Sequence, residues 1–269
     1  MYNHSMSVQV RPVRALSDNY IWLIESPRTP DRMVAVDPGE SAPVVAELRR
    51  RGASLAAILL THHHPDHIGG VGGLLEQGPV PVIGPDDPRI PLRTRTVGDA
   101  ERCDLPDLGL SFEILAVPGH TLSHIAFWGH DALFCGDTLF SAGCGRLFEG
   151  TPTQMNDSLN RLRALPPQTR MFCGHEYTAA NLRFALTVDP ENQSALEYRA
   201  ALEQARVADP PGLVTPSLPS LLSLEIRVNP FLRCDTAVIR AAAEAHVGKP
   251  LTGAAEVFAV LRAWKDQFR

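Results

Sequence analysis

Four imidazoles and a carboxylate stand within seven residues in Thr61-His62-His63-His64-Pro65-Asp66-His67. Such a cluster is costly to hold together unless a cation joins it, and a divalent metal suits this donor set. Three further donors occur, each directly behind a glycine: Gly119-His120-Thr121, Gly136-Asp137-Thr138 and Gly174-His175-Glu176. In an extended segment, side chains at i and i+2 project to the same side. His62 and His64 can therefore share one ion, while His63 points the other way. Asp66 and His67, further along the turn, can reach a second ion. His120 and His175 can each complete a set of three, and Asp137, with two carboxylate oxygens, can bridge. Three protein ligands per ion leave a position open, as catalysis requires and a closed structural site does not. Two ions about 3.5–4 Å apart can share a hydroxide and clamp the attacked and leaving atoms.

These donors need elements that bring them together. The apolar run Leu55–Leu60 reads as a buried strand that ends at the histidine run. Phe112–Val117, Ala132–Cys135 and Met171–Cys173 read as strands that end just before His120, Asp137 and His175. Adjacent strand ends in a sheet lie about 5 Å apart, so four such ends can surround one cavity. Tyr20–Ile24, Met33–Val36, Pro79–Ile83 and Ile125–Trp128 are further strand candidates. Ser41 to Arg51 reads as a helix with Ser41 as N-cap and Gly52 just past its end. Gly69–Leu75 reads as a glycine-rich helix start without the lysine of a phosphate loop. Met155, Leu159, Leu162 and Leu165 recur at helical spacing. After His175 the pattern becomes helical: Tyr177–Leu186, Asn192–Val207, Thr236–His246 and Ala254–Phe268, with a proline-rich connector from Pro210 to Pro230. The expected division is an α/β domain over residues 1–175 and a helical domain over 176–269.

Composition narrows the class. The 269 residues carry a net charge of −5, which argues against a nucleic-acid partner. No apolar run is long enough for a membrane span, and Met1 to Pro12 lacks the apolar core of a signal peptide. Five scattered cysteines contain no CxxC pair, which points to a reducing, cytoplasmic setting rather than a disulfide framework. Cys135 and Cys173 lie on apolar strands and read as packing residues. His4, His124, His130 and His246 lack the glycine-flanked strand-end setting and read as ordinary surface or core histidines.

The sequence resembles the metallo-β-lactamase superfamily, whose motif is HxHxDH, and within it glyoxalase II, the hydroxyacylglutathione hydrolases. The segments THHHPDHIGG, PGHTLSHIAF, CGDTLFSAGCGRLFEGT, CGHEYTAANLRFA, NPFLR and LRAWKDQF carry the resemblance across nearly the whole chain. It implies an αβ/βα sandwich with a C-terminal helical domain that helps hold glutathione. It implies a first metal site of His62, His64 and His120, a second of Asp66, His67 and His175, and Asp137 as the bridge. It implies Asp66 and Asp137 as the catalytic carboxylates, with Asp66 also able to orient the attacking hydroxide. The cofactors are two divalent ions, zinc first, with iron or manganese as alternatives that affinity order does not separate. Implied substrate contacts are Arg146, Tyr177, Arg262 and Lys265. Arg262 and Lys265 stand at i and i+3 on one helix face, a pattern that a solvated helix end also gives. Phe148 stands where some members have Tyr, which removes a hydroxyl that could bond glutathione. The implied reaction is hydrolysis of S-D-lactoylglutathione, the second step of methylglyoxal detoxification, by a monomer.

Rival readings keep the fold and change the chemistry: a persulfide dioxygenase, a lactonase, a β-lactamase or a nuclease. The first is expected to lack a complete second metal set, and a nuclease would need a basic surface. A metal-binding protein without activity is the remaining alternative, although no donor of the set looks deleted.

Overall fold

The computed structural model describes residues 7–208 and 216–268. The chain forms two compact units that interleave along the sequence. The first is Met1–Ala116, Ser123–Gly136 and Arg170–His175; the second is Val117–Leu122, Asp137–Thr169 and Glu176–Arg269.

The first unit is built on two sheets. One contains β1 (Val10–Ala15), β2 (Asn19–Glu25), β3 (Arg32–Val36), β4 (Ser54–Leu59), β5 (Val82–Gly84) and β6 (Arg95–Thr96), in that order. β1 to β3 pair antiparallel, and β3 to β6 pair parallel. The last four residues of β4 are all buried, as expected for a parallel strand covered on both faces. Its register sets Leu59 opposite Val36. Both strands therefore end at one level, with the Asp37-Pro38-Gly39 turn beside Thr61. Helix α1 (Ala42–Arg51) ends at Gly52 in the left-handed region, although the Ser41 side chain makes no cap hydrogen bond. Val44 and Leu48 of α1 join Val71 and Leu74 of α3 (Val71–Leu75) over Val13, Ile21, Leu23, Ala35 and Ile58. The single-turn helix α2 (Pro65–Ile68) lies between β4 and α3 and carries Asp66 and His67.

The second sheet includes β7 (Arg102–Leu105), β8 (Leu110–Ala116), β9 (Ile125–Gly129), β10 (Ala132–Gly136) and β13 (Arg170–Cys173). Their order is β13-β10-β9-β8-β7, with β13 parallel to β10 and the other pairs antiparallel. Aromatic rings join the two sheets. Trp22 meets Phe172 edge-on at 5.0 Å, and its indole N–H donates to the Cys173 carbonyl at 2.9 Å. Phe172 in turn stacks on Phe134 at 5.1 Å.

The second unit contains a hairpin, β11 (Leu139–Phe140) and β12 (Gly143–Cys144). Helices follow: α4 (Pro152–Arg163), α5 (Thr178–Val188), α6 (Gln193–Ala208), α7 (Leu222–Val228), α8 (Ala237–Val247) and α9 (Ala254–Gln267). Thr151 and Gln154 close a capping box at the start of α4. Leu182, Ala185, Leu186, Ala195, Leu202 and Val228 form a core with Ala142. The connector expected from Pro210 to Pro230 is corrected in part: Leu222–Val228 is helical. Its buried positions are Leu222, Glu225 and Val228, so a carboxylate occupies a core position and hides the apolar period. Pro210, Pro211 and Gly212 lie outside the described residues.

Candidate metal centre

Four histidines of the expected ligand sets share one device. In the first unit, Thr61 donates its N–H and its hydroxyl to the Asp37 carboxylate, at 2.8 and 2.7 Å. With that hydroxyl hydrogen committed, the oxygen at 3.0 Å from His62 Nδ1 accepts. His67 Nδ1 lies 3.1 Å from Asp37 Oδ2, and His175 Nδ1 lies 2.7 Å from Asp18 Oδ1. In the second unit, His120 Nδ1 lies 2.9 Å from the Arg146 carbonyl. Each partner accepts only, so Nδ1 carries the hydrogen and Nε2 presents a lone pair. This is how metal-ligating histidines are normally oriented.

The Nε2 atoms converge on carboxylates. In the first unit, His67 Nε2 and His175 Nε2 lie 3.5 and 3.4 Å from Asp66 Oδ2. In the second, His120 Nε2 lies 3.4 Å from Asp137 Oδ2. Donors held about 2.0–2.2 Å from a tetrahedral ion stand about 3.3–3.6 Å apart, so these separations fit the edges of a coordination shell. Lone pair against carboxylate at this range is repulsive without a cation. Asp66, His67 and His175 thus form a fitting donor set. Asp37 also gathers with His62 and His67, but its oxygens are bonded to Thr61 and His67. It orients histidines. The site residues therefore fit a divalent metal.

Local backbone features place these donors. Asp37 has φ +51, and Gly39 abuts Asp66 so closely that a Cβ would sit 2.0 Å from the Asp66 carbonyl. Asn19 donates its amide to Asp66 Oδ2 at 3.0 Å. In the second unit, a Cβ on Gly145 would sit 1.9 Å from the Asp137 carbonyl. Only glycine permits either approach.

His64 lies beside His62, with ring centroids 4.7 Å apart. His63 faces Asp87 at 3.4 Å, as strand alternation predicted. His124 falls within its expected surface or core role: it is fully buried, and its ring stacks on His62 at 4.6 Å, 19° from parallel. Asp18, Asn19 and Asp37 carry no sign of their place in the sequence, because single polar residues in turn sequences have no period.

The expected substrate contacts all lie in the second unit. Tyr177 is 36% exposed and meets Phe140 edge-on at 5.2 Å. The Arg146 side chain is exposed, with Nε 3.6 Å from Asp266. Lys265 lies against the rings of Phe184 and Phe268, with Nζ 3.5 Å from the Ala180 carbonyl. Burial, then the neighbouring charges of Arg262, Arg183 and Arg146, pull its pKa below the ordinary lysine value. Arg262 is not on a solvated face. It is 6% exposed, donates Nη1 to the Cys144 carbonyl and Nη2 to Asp266, both at 2.9 Å, and covers the Phe231 ring. Phe148 is 63% exposed and meets His120 edge-on at 5.2 Å. Burial pushes the thiols of Cys103 and Cys144 up to about 11, which leaves little thiolate for nucleophilic attack.

Paired sheets with imidazole and carboxylate donors at their strand ends define a metal-dependent hydrolase of the sandwich type. Residues 16–175 match the family model of the metallo-beta-lactamase superfamily, and residues 176–268 match that of the hydroxyacylglutathione hydrolase C-terminus. The chain belongs to the hydroxyacylglutathione hydrolase (glyoxalase II) family, with that superfamily's αβ/βα sandwich and a C-terminal helical extension. It is 50% identical to a hydroxyacylglutathione hydrolase of Pseudomonas paraeruginosa, over 97% of this chain and 100% of the relative. It is 47% identical to one of Idiomarina loihiensis, over 96% of this chain and 99% of the relative. A crystal structure of ETHE1 from Myxococcus xanthus shares the fold at TM-score 0.63 and 23% identity, covering 95% of this chain and 91% of that one.

Proposed function

We propose that the chain hydrolyses 2-hydroxyacyl thioesters of glutathione, S-D-lactoylglutathione foremost, at a centre of two divalent ions. The observation that carries this reading is the convergence of His67 and His175 Nε2 on Asp66, with both Nδ1 atoms turned to carboxylates. As the family resemblance implies, His62, His64 and His120 would hold one ion and Asp66, His67 and His175 the other, with Asp137 available as a further carboxylate ligand. Two such ions supply Lewis acidity and a water of lowered pKa.

The remaining chemistry falls to the protein. Asp66, steadied by the Asn19 amide, orients the attacking oxygen by accepting its hydrogen. The sulfur leaves as thiolate; with a thiol pKa of about 8.5, it needs no strong general acid. Glutathione carries two carboxylates, which a chain of net charge −5 does not attract as a whole. Local cations must capture it. Arg146 and Lys265 meet a carboxylate directly, and Tyr177 borders the same region. Arg262 contributes its charge from inside while its nitrogens hold Cys144 and Asp266. Zinc is the favoured metal, and the monomer in a cytoplasmic setting the favoured state. Among the described residues no helix is long and apolar enough to cross a membrane.

Thiol release from a panel of glutathione thioesters, with metal analysis of the same sample, tests the reading. The expected result is turnover of the lactoyl thioester by protein holding two ions. Metal-replete protein inert toward every thioester would overturn it.

A further inference from the structure

The hairpin of β11 and β12 is gripped by buried polar side chains from far along the chain, in addition to the apolar packing of Ala142. Its two-residue turn is Ser141-Ala142, and Ala142 has φ +54 while being fully buried. A non-glycine residue in the left-handed region persists only where its surroundings enforce it. Glu225 of α7 does so. Its Oε2 accepts the Ala142 N–H at 2.7 Å, and its Oε1 accepts the hydroxyls of Ser141, at 2.8 Å, and Ser220. The Asn181 amide donates to the Ser141 carbonyl at 3.0 Å. The Asn229 amide donates to the carbonyls of Phe140 and Gly143, at 3.2 and 2.9 Å. Arg262 holds Cys144. All four holding residues are at most 6% exposed.

Glu225 is the carboxylate of this group and is wholly buried. Burying a carboxylate is expensive, and an apolar residue of similar volume often serves stability as well. Its partners are the hairpin turn, the nearby Ser220 hydroxyl and the Asn229 side chain, which itself grips the hairpin. The hairpin ends close to the candidate ligands. Asp137 lies two residues before β11, and Arg146 two residues after β12. Gly145 N–H donates to the Thr138 carbonyl at 3.2 Å, which extends the ladder to the residue next to Asp137. The Arg146 carbonyl fixes His120 Nδ1.

We infer that Glu225 is a positioning residue of the metal centre: by fixing the Ser141-Ala142 turn it sets the hairpin, and through it Asp137 and His120. This rests on the proposed reading of those two residues as ligands.

The test compares the wild type with Glu225→Gln, Ser141→Ala and Leu48→Ala. Leu48 lies in the core of the first unit and reports destabilisation without hairpin damage. The readouts are far-UV circular dichroism, metal affinity by chelator competition, and the kcat and KM of thioester hydrolysis. Glu225→Gln is expected to keep the fold, to lose about 10–100-fold in affinity for one ion, and to lose kcat in parallel with KM within about twofold. Ser141→Ala is expected to change in the same direction by a smaller factor, and Leu48→Ala to leave metal affinity unchanged. A folded Glu225→Gln protein with wild-type metal affinity would overturn the inference. If Glu225→Gln does not fold, wild-type metal affinity in Ser141→Ala would overturn it instead. Metal affinity is read without turnover, so wild-type protein that binds two ions but hydrolyses no thioester would defeat the functional reading and leave this one tested.

Discussion

A histidine ligates well only when its second nitrogen is settled, and in this chain settled partners recur at four donor positions. Of the two carboxylate partners the more exposed is Asp18, whose side chain is 37% exposed and which meets His175 Nδ1 at 2.7 Å. Removing it leaves His175 free to rotate or to change tautomer, while little packing is lost. Asp18→Ala is expected to keep the wild-type melting temperature within a few degrees and to weaken metal binding by about 10–100-fold. Chelator competition measures this, and an unchanged affinity would mean that something else orients His175. The candidate ligands themselves are legible in the sequence, because four histidines and an aspartate in one run stand out against any background. Their orienting partners are not. Asp18 follows Ser17, and Asp37 precedes Pro38-Gly39; both read as turn residues, and their second role exists only once distant strands pair. The stacking of His124 on His62 is hidden for a related reason, since it depends on β9 beginning beside Thr61, where the Ile125 N–H meets the Thr61 carbonyl at 3.0 Å.

At the level of elements, strands that end in donors were read correctly because burial on both faces leaves an unbroken apolar run. β4 over its last four residues, β10 throughout and β13 beyond Arg170 are examples. β1 escaped notice, since only Val13 and Ala15 are buried and Pro12 reads as a breaker. It lies at the sheet edge, where proline is tolerated. The two-residue strands β11 and β12 are too short for any period to register, and their stability comes from the side chains that grip them. Gly145, at the exit of that hairpin, gives the sharpest test of how closely the element must fit. A methyl group there would lie 1.9 Å from the Asp137 carbonyl, so the backbone at one or the other must shift. A misplacement of about 1 Å can cost about 100-fold in rate. Gly145→Ala is therefore expected to lower kcat/KM by about two orders of magnitude with the helical circular dichroism signal intact. A loss below about fivefold would show that the hairpin absorbs the methyl group without moving Asp137.

Within the whole first unit, Asp87 links segments that lie far apart in sequence. It follows β5, is 1% exposed, and binds Arg89 through both carboxylate oxygens. It also accepts the Ser123 hydroxyl at 2.6 Å, just before β9 of the other sheet. The hydrogen bonds from the Arg89 guanidinium hold its carboxyl well below the usual carboxylate range, helped by Ser123 and the Arg89 N–H and opposed by burial. A carboxylate whose pKa is lower in the folded chain stabilises the fold above its unfolded pKa, about 3.9. That stabilisation is lost as pH falls from there through the folded value. At pH 7 the contribution is of the order of 2 kcal/mol. The whole chain also turns cationic below its pI near 6.0, which adds a general repulsion in acid. Comparing two proteins separates these effects, because general repulsion acts on both. Asp87→Asn is expected to unfold at lower urea than the wild type from pH 5 to 7. Below about pH 4 the margin should shrink, as the wild-type carboxyl takes up the proton that the amide never binds. Urea midpoints between pH 2.5 and 7 would measure it. A margin that stays constant across that range would mean that Asp87 acts through packing and not through its charge.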